Sequence, residues 1–182
     1  MSINLIIGPM FSGKTTELFR RYKRHMIGGK SVLMVKYKGD DRYSSDKVMT
    51  HDMEGIEGLA TDTLKNIDCI VKKYDVICID EIQFYKDGDV YCDKWASQGK
   101  IIEACGLSGT FQRKPFPIVS NLIAQAETCV MLSAICRKTG NDASFTTILK
   151  KPNDGNIEII GGSELYMAVD RPTYNNYMKF NT

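Results

Sequence analysis

Apolar residues recur along most of the chain in short runs, and segments with apolar residues at helical spacing separate these runs. The runs predict buried strands at residues 4–7, 31–35, 76–79, 101–107 and about 130–134. The intervening segments predict helices from residue 16 to the glycine pair at 28–29, and over residues 61–71, 90–97 and about 120–126. This alternation predicts an α/β fold, with a mostly parallel sheet and helices on both of its faces.

Two irregular stretches interrupt this rhythm. Residues 36–52 form a long polar connection rich in Asp, Ser and Tyr, and a connection of this length in a compact domain is often functional. Beyond residue 134 the apolar runs are short and are mixed with several prolines, asparagines and tyrosines. We therefore expect two units, an α/β domain over residues 1–134 and a small subdomain over residues 135–182.

Composition narrows the classes of function. Of the 182 residues, 43% are hydrophobic and 25% are charged, as in an ordinary soluble globular protein. The net charge of +2 gives no reason to expect a nucleic-acid or membrane partner. No apolar run reaches the ~20 residues that span a bilayer, and no signal peptide precedes the first strand, so we expect a cytoplasmic protein.

The six cysteines are scattered, and no two of them form a C-x-x-C pair. The sequence therefore offers no ready-made metal site. Cys78 and Cys105 lie in apolar runs and are expected to be buried, and free thiols are typical of a reducing compartment.

The first predicted strand leads into a phosphate-binding motif. The pattern G-x-x-x-x-G-K-[ST] is matched at every specified position by Gly8-Pro9-Met10-Phe11-Ser12-Gly13-Lys14-Thr15. A strand before the motif and a helix after it are the context that supports it. We expect backbone N–H groups of the loop and the helix N-terminus to hold phosphates, Lys14 to reach the terminal phosphates, and the Thr15 hydroxyl to bind magnesium.

Two adjacent carboxylates, Asp80 and Glu81, follow the predicted strand at residues 76–79. Ligands of open α/β sheets gather at the carboxyl ends of the strands, where this pair would lie. We expect Asp80 to hold a hydrated magnesium ion and Glu81 to accept a proton from an attacking oxygen. Two solvated carboxylates that cap the next helix are the simpler alternative.

The residues by themselves leave the acceptor of the phosphate open. Phe84, close after the carboxylates, could stack on a flat substrate or belong to the core. Residues 106–113, after the next strand, add one aromatic ring and one guanidinium at the same sheet edge. Water as the acceptor would make an ATPase and an alcohol would make a small-molecule kinase. The small size of the chain favours the kinase.

Six segments, in order along nearly the whole chain, carry a resemblance to a known family: residues 7–18, 40–43, 50–52, 79–84, 107–116 and 159–162. On these motifs the chain resembles the type II thymidine kinases, the family of the cytosolic cellular and poxviral enzymes, and is most similar to the viral branch. The resemblance implies a RecA-like core, a small subdomain that bears a lasso loop, and a homotetramer. It implies magnesium-dependent transfer of the γ-phosphate of ATP to the 5′-hydroxyl of thymidine or deoxyuridine.

The resemblance also implies roles for individual residues. Glu81 would be the base on the 5′-hydroxyl, and Arg42 would stabilise the charge of the transferring phosphate. The positions that surround the nucleoside in the family are Met10, Phe84, Leu107, Phe111, Thr146 and Tyr166. The backbone of Ile159 and Ile160, followed by Gly161 and Gly162, would recognise the thymine edge from the lasso. Thymidine triphosphate is a candidate feedback inhibitor.

The chain departs from the family at its zinc site. The family's subdomain is commonly stabilised by zinc on two C-x-x-C pairs, whose positions here hold Cys136 and Thr139, and Asp170 and Thr173. One thiolate of four is left, and a tetrahedral structural site requires four good ligands. We therefore predict no structural zinc and a subdomain held by packing, with Ile135, Phe145, Ile148, Ile157 and Tyr174 as the candidate packing residues.

Two alternatives to a thymidine kinase stay open. One is a kinase for another deoxynucleoside, and the other is a non-catalytic regulatory module that binds ATP. The presence of Lys14, Thr15, Asp80, Glu81 and Arg42 argues against the second, since a binding module has no use for a base.

Overall fold

The computed structural model describes residues 1–39, 47–49, 55–149 and 164–181, with the backbone alone at residues 47 and 179–181. The strands are β1 (Ser2–Gly8), β2 (Val32–Tyr37), β3 (Lys47–Met49), β4 (Gly55–Glu57), β5 (Leu59–Thr61), β6 (Val76–Ile79), β7 (Ile101–Leu107), β8 (Thr128–Met131), β9 (Ala134–Ile135), β10 (Asp142–Ala143), β11 (Phe145–Ile148) and β12 (Tyr166–Val169). The α-helices are α1 (Lys14–Ile27), α2 (Asp68–Val71), α3 (Gly88–Ser97), α4 (Pro117–Gln125) and α5 (Arg171–Asn181). Two 3-10 helices lie at Leu64–Ile67 and Ile82–Phe84.

Six strands form a parallel sheet in the order β5-β2-β6-β7-β1-β8. In its register Gly8 lies opposite Leu107, and Val35 opposite Ile79. The carboxyl ends of β1, β2, β6 and β7 therefore meet at one edge, and the loops that follow them share that edge. The strands predicted at residues 76–79 and 101–107 have the same bounds in the structure.

Alternate side chains along the strands divide the core into two layers. Ile6 and Cys105 face one side of the sheet and pack against Leu18 and Phe19 of α1. Neighbouring strand residues face the other side, where they pack against α3 and α4, with Trp95 fully buried. The predicted α/β fold with helices on both faces is confirmed, and it is a P-loop-like fold.

Two predicted elements differ in detail. The helix expected over residues 61–71 is a 3-10 turn followed by the short helix α2. Its first N–H groups, of Leu64 and Lys65, donate to the Asp87 carboxylate from far along the chain. The strand expected near residues 130–134 is β8, at the edge of the sheet, and all four of its residues are exposed.

The described part of the C-terminal region contains two small antiparallel pairs, β9 with β10 and β11 with β12, and helix α5. Its apolar core includes Ala143, Val169 and Tyr174, with Phe145 packed against it. Packing was the predicted means of support, and Tyr174 is buried as expected, whereas Ile135 is 60% exposed. The lasso predicted around residues 159–162 lies outside the described residues.

A hydrogen-bonded cluster adds to this packing. It contains the four positions that the resemblance assigns to zinc, together with Asn141. We call Cys136, Thr139, Asn141, Asp170 and Thr173 the Asp170 cluster. The Asp170 carboxylate accepts bonds from the Thr139 hydroxyl at 2.7 Å, the Thr173 N–H at 2.9 Å and the Asn141 amide at 3.4 Å. The Cys136 thiol lies 3.7 Å from the Thr173 hydroxyl. A carboxylate at a helix N-terminus satisfies helix N–H groups, so Asp170 joins α5 to the turn after β9.

The structure also bears on whether the chain binds a metal ion through a side-chain cluster and whether it crosses a membrane. Among the described residues, no His, Cys, Asp and Glu side chains form a group of three or more that could hold a metal ion. Over the same residues, every helix is too short or too polar to cross a membrane.

Candidate active site

The loop between β1 and α1, which carries the phosphate-binding motif, contains two residues in the left-handed conformation. Gly13 has φ of 78°, a left-handed conformation that glycine adopts without steric cost, and Phe11 has φ of 64°. A Cβ atom on Gly8 would lie 2.6 Å from the Leu132 carbonyl oxygen and 2.7 Å from Ser12 Oγ. Glycine is therefore required at both ends of the loop, for backbone conformation at Gly13 and for space at Gly8.

The N–H groups of the loop do not all face the same way. The Met10 N–H donates to the Thr146 hydroxyl at 3.0 Å, and Pro9 has no N–H. The expected phosphate donors are therefore the N–H groups that follow Met10, at the start of α1. The Lys14 ammonium donates to the Pro9 carbonyl at 2.7 Å, which places its charge across the loop.

Asp80 lies at the end of β6, as predicted, and is only 8% exposed. Its Oδ1 accepts bonds from the Cys105 thiol at 2.8 Å, the Glu81 N–H at 3.1 Å and the Thr15 hydroxyl at 3.4 Å. Burial, together with the nearby Asp80 charge, raises the pKa of the Cys105 thiol well above its usual value. That thiol therefore stays protonated and donates. The structure thus brings Thr15 and Asp80, the two predicted magnesium ligands, into contact.

Glu81 follows at a sharp turn with φ of 52°, a conformation that is uncommon for a residue with a side chain. Such outliers concentrate at functional sites. Its carboxylate accepts a bond from the Gln83 amide at 2.6 Å, and the Gln83 carbonyl oxygen accepts from the Leu107 N–H at 3.1 Å. Gln83 is a residue that the sequence analysis did not single out.

An apolar cluster lies next to the loop. Met10, Ile148 and Tyr166 are its buried members, and partly buried side chains pack against them: Phe11, Leu107, Phe111 and Leu165. Four of the predicted nucleoside residues, Met10, Leu107, Phe111 and Tyr166, thus come together. A fifth, Thr146, is tied to them through the Met10 N–H.

Ile148 and Leu165 also belong to this cluster, although neither is among the predicted nucleoside residues. Ile148 lies opposite Tyr166 in the pairing of β11 with β12, and the Leu149 N–H donates to the Leu165 carbonyl. The alternation of β11 could have pointed to Ile148, since Thr146 lies two residues before it on the same face.

Phe84, another predicted nucleoside residue, is not a member of this cluster. The ring of Phe84 stacks on Tyr37, with centroids 5.1 Å apart. Both rings lie at the same sheet edge, where β2 and β6 end. Arg42 and the four residues from Ile159 to Gly162 lie outside the described residues.

The loop after β7 is anchored to the C-terminal region. Tyr174 of α5 donates its hydroxyl to the Phe111 carbonyl at 2.8 Å. The Arg113 guanidinium lies 4.4 Å from the Tyr174 ring centroid and 5.6 Å from that of Phe145. Arg113 has φ of 59°. These contacts fix one wall of the apolar cluster against α5.

A separate polar cavity of about 450 Å³ lies between α1 and β7, lined by Arg20, Arg21, Arg24, His25 and Glu103. Glu103 is buried and contacts Arg21 and His25, while Arg20 pairs with Glu17. The Arg20 hydrogen bond is the main cause that lowers the pKa of Glu17 to about 2. Most of these charges pair with one another, which is typical of a structural ion-pair network.

Comparison with known proteins identifies the family. The thymidine kinase family model matches residues 1–174. A thymidine kinase of raccoon poxvirus is 45% identical over 174 residues, which cover 96% of this chain and 97% of that protein. A thymidine kinase of vaccinia virus strain Western Reserve is 43% identical over 172 residues, 94% of this chain and 96% of its own length. Thymidine kinase 1 of Dictyostelium discoideum is 42% identical over 178 residues, 96% of this chain and 78% of its own length.

These matches extend over nearly the whole chain, and they confirm the resemblance drawn from the motifs. The chain belongs to the thymidine kinase family.

Proposed function

We propose that this chain transfers the γ-phosphate of ATP to the 5′-hydroxyl of thymidine, or of deoxyuridine, and that Glu81 is the base of the reaction. Family membership makes the chain an ATP-dependent thymidine kinase. The assignment of roles to residues is our proposal.

One observation carries the assignment: groups suited to each part of phosphoryl transfer lie at one sheet edge. Thr15 and Asp80 are in contact at 3.4 Å, and Glu81 is the next residue along the chain. Lys14 begins α1 beside them. Catalysis of phosphoryl transfer is mostly positioning and electrostatic stabilisation, which this set of side chains can provide.

In the proposed step, Glu81 accepts the proton of the 5′-hydroxyl while that oxygen bonds to the γ-phosphorus. The bond from the γ-phosphorus to the β,γ-bridging oxygen breaks, and ADP leaves with that electron pair. Lys14 and Arg42 stabilise the charge on the transferring group. The N–H groups at the start of α1 hold the phosphates.

Magnesium fits the residues at this edge. Nucleotide-bound magnesium takes one or two protein oxygens and completes its coordination with phosphates and water, so a larger protein cluster is not required. Thr15 and Asp80 would supply two such oxygen ligands, and the buried Asp80 carboxylate accepts a hydrogen bond from the Cys105 thiol. Bound there with ATP, magnesium would neutralise charge on the β- and γ-phosphates.

We propose that the apolar cluster forms the nucleoside pocket, with Met10, Leu107, Phe111, Thr146 and Tyr166 around the base. Phe84 would complete the pocket at the sheet edge. Backbone groups of residues 159–162 would read the thymine edge. A tight pocket of this kind excludes purines by size.

An assay of phosphate transfer from ATP to thymidine, deoxyuridine, deoxycytidine and deoxyadenosine tests the activity. We expect transfer to thymidine and deoxyuridine. Absence of transfer to both, by folded protein supplied with magnesium, would contradict the proposal. Transfer to deoxycytidine or deoxyadenosine instead would favour the kinase for another deoxynucleoside.

The Glu81→Gln variant tests the mechanism. We expect kcat to fall by about 10²–10⁴, the usual contribution of a general base, while ATP binding is kept. Binding is measured as the rise of the unfolding temperature with ATP. A variant with near-normal turnover would show that Glu81 is not the base.

The remaining expectations are proposals about organisation and regulation. They comprise a boundary between units at residues 134 and 135, a cytoplasmic location, a homotetramer, and inhibition by thymidine triphosphate. The exposed edge strand β8, with Met131 65% exposed, supports self-association, since exposed apolar edges are usually covered. Sedimentation would give the mass of the assembly, and the transfer assay with added thymidine triphosphate would test inhibition.

A further inference from the structure

We propose that Gln83 is a positioning residue for phosphoryl transfer, because its side chain fixes the Glu81 carboxylate relative to the wall of the nucleoside pocket. The inference rests on the proposed role of Glu81 as the base. It adds a residue that neither the phosphate-binding motif nor the carboxylate pair would indicate.

The two hydrogen bonds of the Gln83 amide determine its orientation. The amide nitrogen lies 2.6 Å from Glu81 Oε2, and the amide oxygen lies 3.1 Å from the Leu107 nitrogen. A backbone N–H can only donate and an ionised carboxylate can only accept. The amide oxygen must therefore face Leu107 and the NH₂ group must face Glu81, so reversing the amide would break both bonds.

The surroundings of Gln83 are built to hold this arrangement. The residue is 7% exposed and belongs to the 3-10 helix that follows Glu81. A Cβ atom on Gly106 would lie 2.6 Å from the Gln83 amide oxygen and 2.7 Å from Ile82 Cγ2. Glycine at position 106 thus leaves the space that the amide occupies beside β7.

A base on a flexible side chain requires such a support. Glu81 follows the end of β6 in a left-handed conformation, so β6 itself does not fix the direction of its carboxylate. A general base must come within about 2.6–3.2 Å of the proton that it removes. A displacement of about 1 Å can lower the rate by about 10²-fold. Leu107 packs against the apolar cluster, so the amide sets the base relative to the wall of that cluster.

A double-mutant cycle on kcat tests the proposal, with wild type, Gln83→Met, Glu81→Gln and the double variant. Methionine has about the length of glutamine and makes neither hydrogen bond. We expect Gln83→Met to lower kcat by about 10–100-fold, the usual effect of losing an orienting partner, with the KM for ATP unchanged. In the Glu81→Gln background the same substitution should lower kcat by less than about 3-fold, because Gln83 acts through Glu81.

Equal losses in both backgrounds would overturn the proposal, since they would show that Gln83 acts on the fold and not through Glu81. Near-normal turnover of Glu81→Gln alone would overturn the proposed base and this inference with it. Normal turnover of Gln83→Met beside an inactive Glu81→Gln would overturn this inference alone.

The Gln83→Glu variant covers the case in which Gln83→Met fails to fold. Its carboxylate keeps an acceptor for the Leu107 N–H but places a like charge against Glu81 in place of the donor. We expect a loss of kcat at least as large as that of Gln83→Met, while ATP still raises the unfolding temperature. Normal turnover of this folded variant would overturn the proposal.

Discussion

The sheet edge and the C-terminal region each converge on a nearly buried aspartate, and the partners of the two carboxylates differ. Asp80 accepts bonds from Thr15 and Glu81, which are themselves site residues, and from the Cys105 thiol. Asp170 accepts bonds from the turn after β9 and from the first turn of α5. Burial is nearly the same, so the partners distinguish an aspartate proposed to bind magnesium from one that joins two elements.

This comparison predicts two kinds of variant. Substitutions at the sheet edge should change kcat and leave the unfolding temperature nearly constant. Substitutions in the Asp170 cluster should change the unfolding temperature. They should affect the kinetics only through the proposed nucleoside pocket.

The largest effect is expected from Lys14→Met. Lys14 is proposed to stabilise the charge of the transferring phosphate, and its removal should then lower kcat by about 10²–10³. Lys23→Met is the matched control, because Lys23 is an exposed residue of the same helix, and its turnover should equal that of wild type. Steady-state kinetics and thermal unfolding measure both variants. A large fall in the unfolding temperature of Lys14→Met would contradict the expectation that sheet-edge variants change kcat and not stability.

A second experiment converts the Asp170 cluster into a metal site. The Cys136 sulfur and the Thr173 oxygen are 3.7 Å apart, close to the roughly 3.8 Å between thiolates on a tetrahedral zinc ion. The triple variant Thr139→Cys, Asp170→Cys and Thr173→Cys should therefore bind zinc. Zinc at about 1,000 times its Kd contributes about 4 kcal/mol, which corresponds to a rise of about 10 °C in the unfolding temperature.

Wild type is the control for that variant, and neither zinc nor a chelator should shift its unfolding temperature. One bound zinc ion per wild-type chain, measured by metal analysis, would contradict the prediction of a metal-free C-terminal region. If zinc does not raise the unfolding temperature of the triple variant, the four positions cannot adopt tetrahedral geometry.

A third prediction concerns pH. Hydrogen bonds, first from Thr173 and then from Thr139, hold the pKa of Asp170 well below its usual range. A lowered folded-state pKa means that the ionised carboxylate stabilises the fold above about pH 4, and that this contribution is lost as the pH falls further. Asp170→Asn should thus unfold a few degrees below wild type at pH 7, and the gap should narrow below pH 4.

Thermal unfolding of wild type and Asp170→Asn at pH 7 and pH 3 measures the gap. Asp93→Asn is the control, because Asp93 is an exposed aspartate of α3, and its unfolding temperature should stay close to that of wild type at both pH values. A gap for Asp170→Asn that stays constant with pH would mean that the charge of Asp170 does not contribute.

The smallest effect is expected from Tyr174→Phe. This variant loses the hydroxyl that bonds the Phe111 carbonyl, and a hydrogen bond of this kind contributes about 0.5–1.5 kcal/mol. The KM for thymidine should rise about 2- to 10-fold while the KM for ATP stays constant. Tyr177→Phe, on the same helix, is the control. An equal rise of both KM values would show that the substitution disturbs the fold as a whole and not the nucleoside pocket alone.

Much of the fold and part of the site could be predicted from the sequence, because both depend on local pattern. Continuous apolar runs gave the bounds of β6 and β7. The phosphate-binding motif and the rule that ligands gather at the carboxyl ends of strands together placed Lys14, Thr15 and Asp80 at one edge. No contact between distant segments had to be known for these predictions.

The rest depends on contacts between distant segments, which local pattern does not encode. The bond from Gln83 to Leu107 requires the register of β6 against β7, and the bond from Met10 to Thr146 joins residues 136 positions apart. The segment predicted as a helix over residues 61–71 is a 3-10 turn and α2, and the turn is capped by Asp87, which lies 23 positions from Leu64. The exposure of β8 follows from its place in the sheet order and not from its apolar composition.

Phe11 packs against two clusters at once, the core of the C-terminal region and the apolar cluster beside the loop. Its backbone belongs to the loop that would hold the phosphates, so a ligand that orders this loop also orders a wall of the other substrate's pocket. The two binding equilibria are then linked by a coupling free energy. Thermodynamic reciprocity requires that each substrate change the affinity of the other by the same factor. Phe11 is thus the residue that would couple the binding of one substrate to the binding of the other, and steady-state kinetics would detect this coupling.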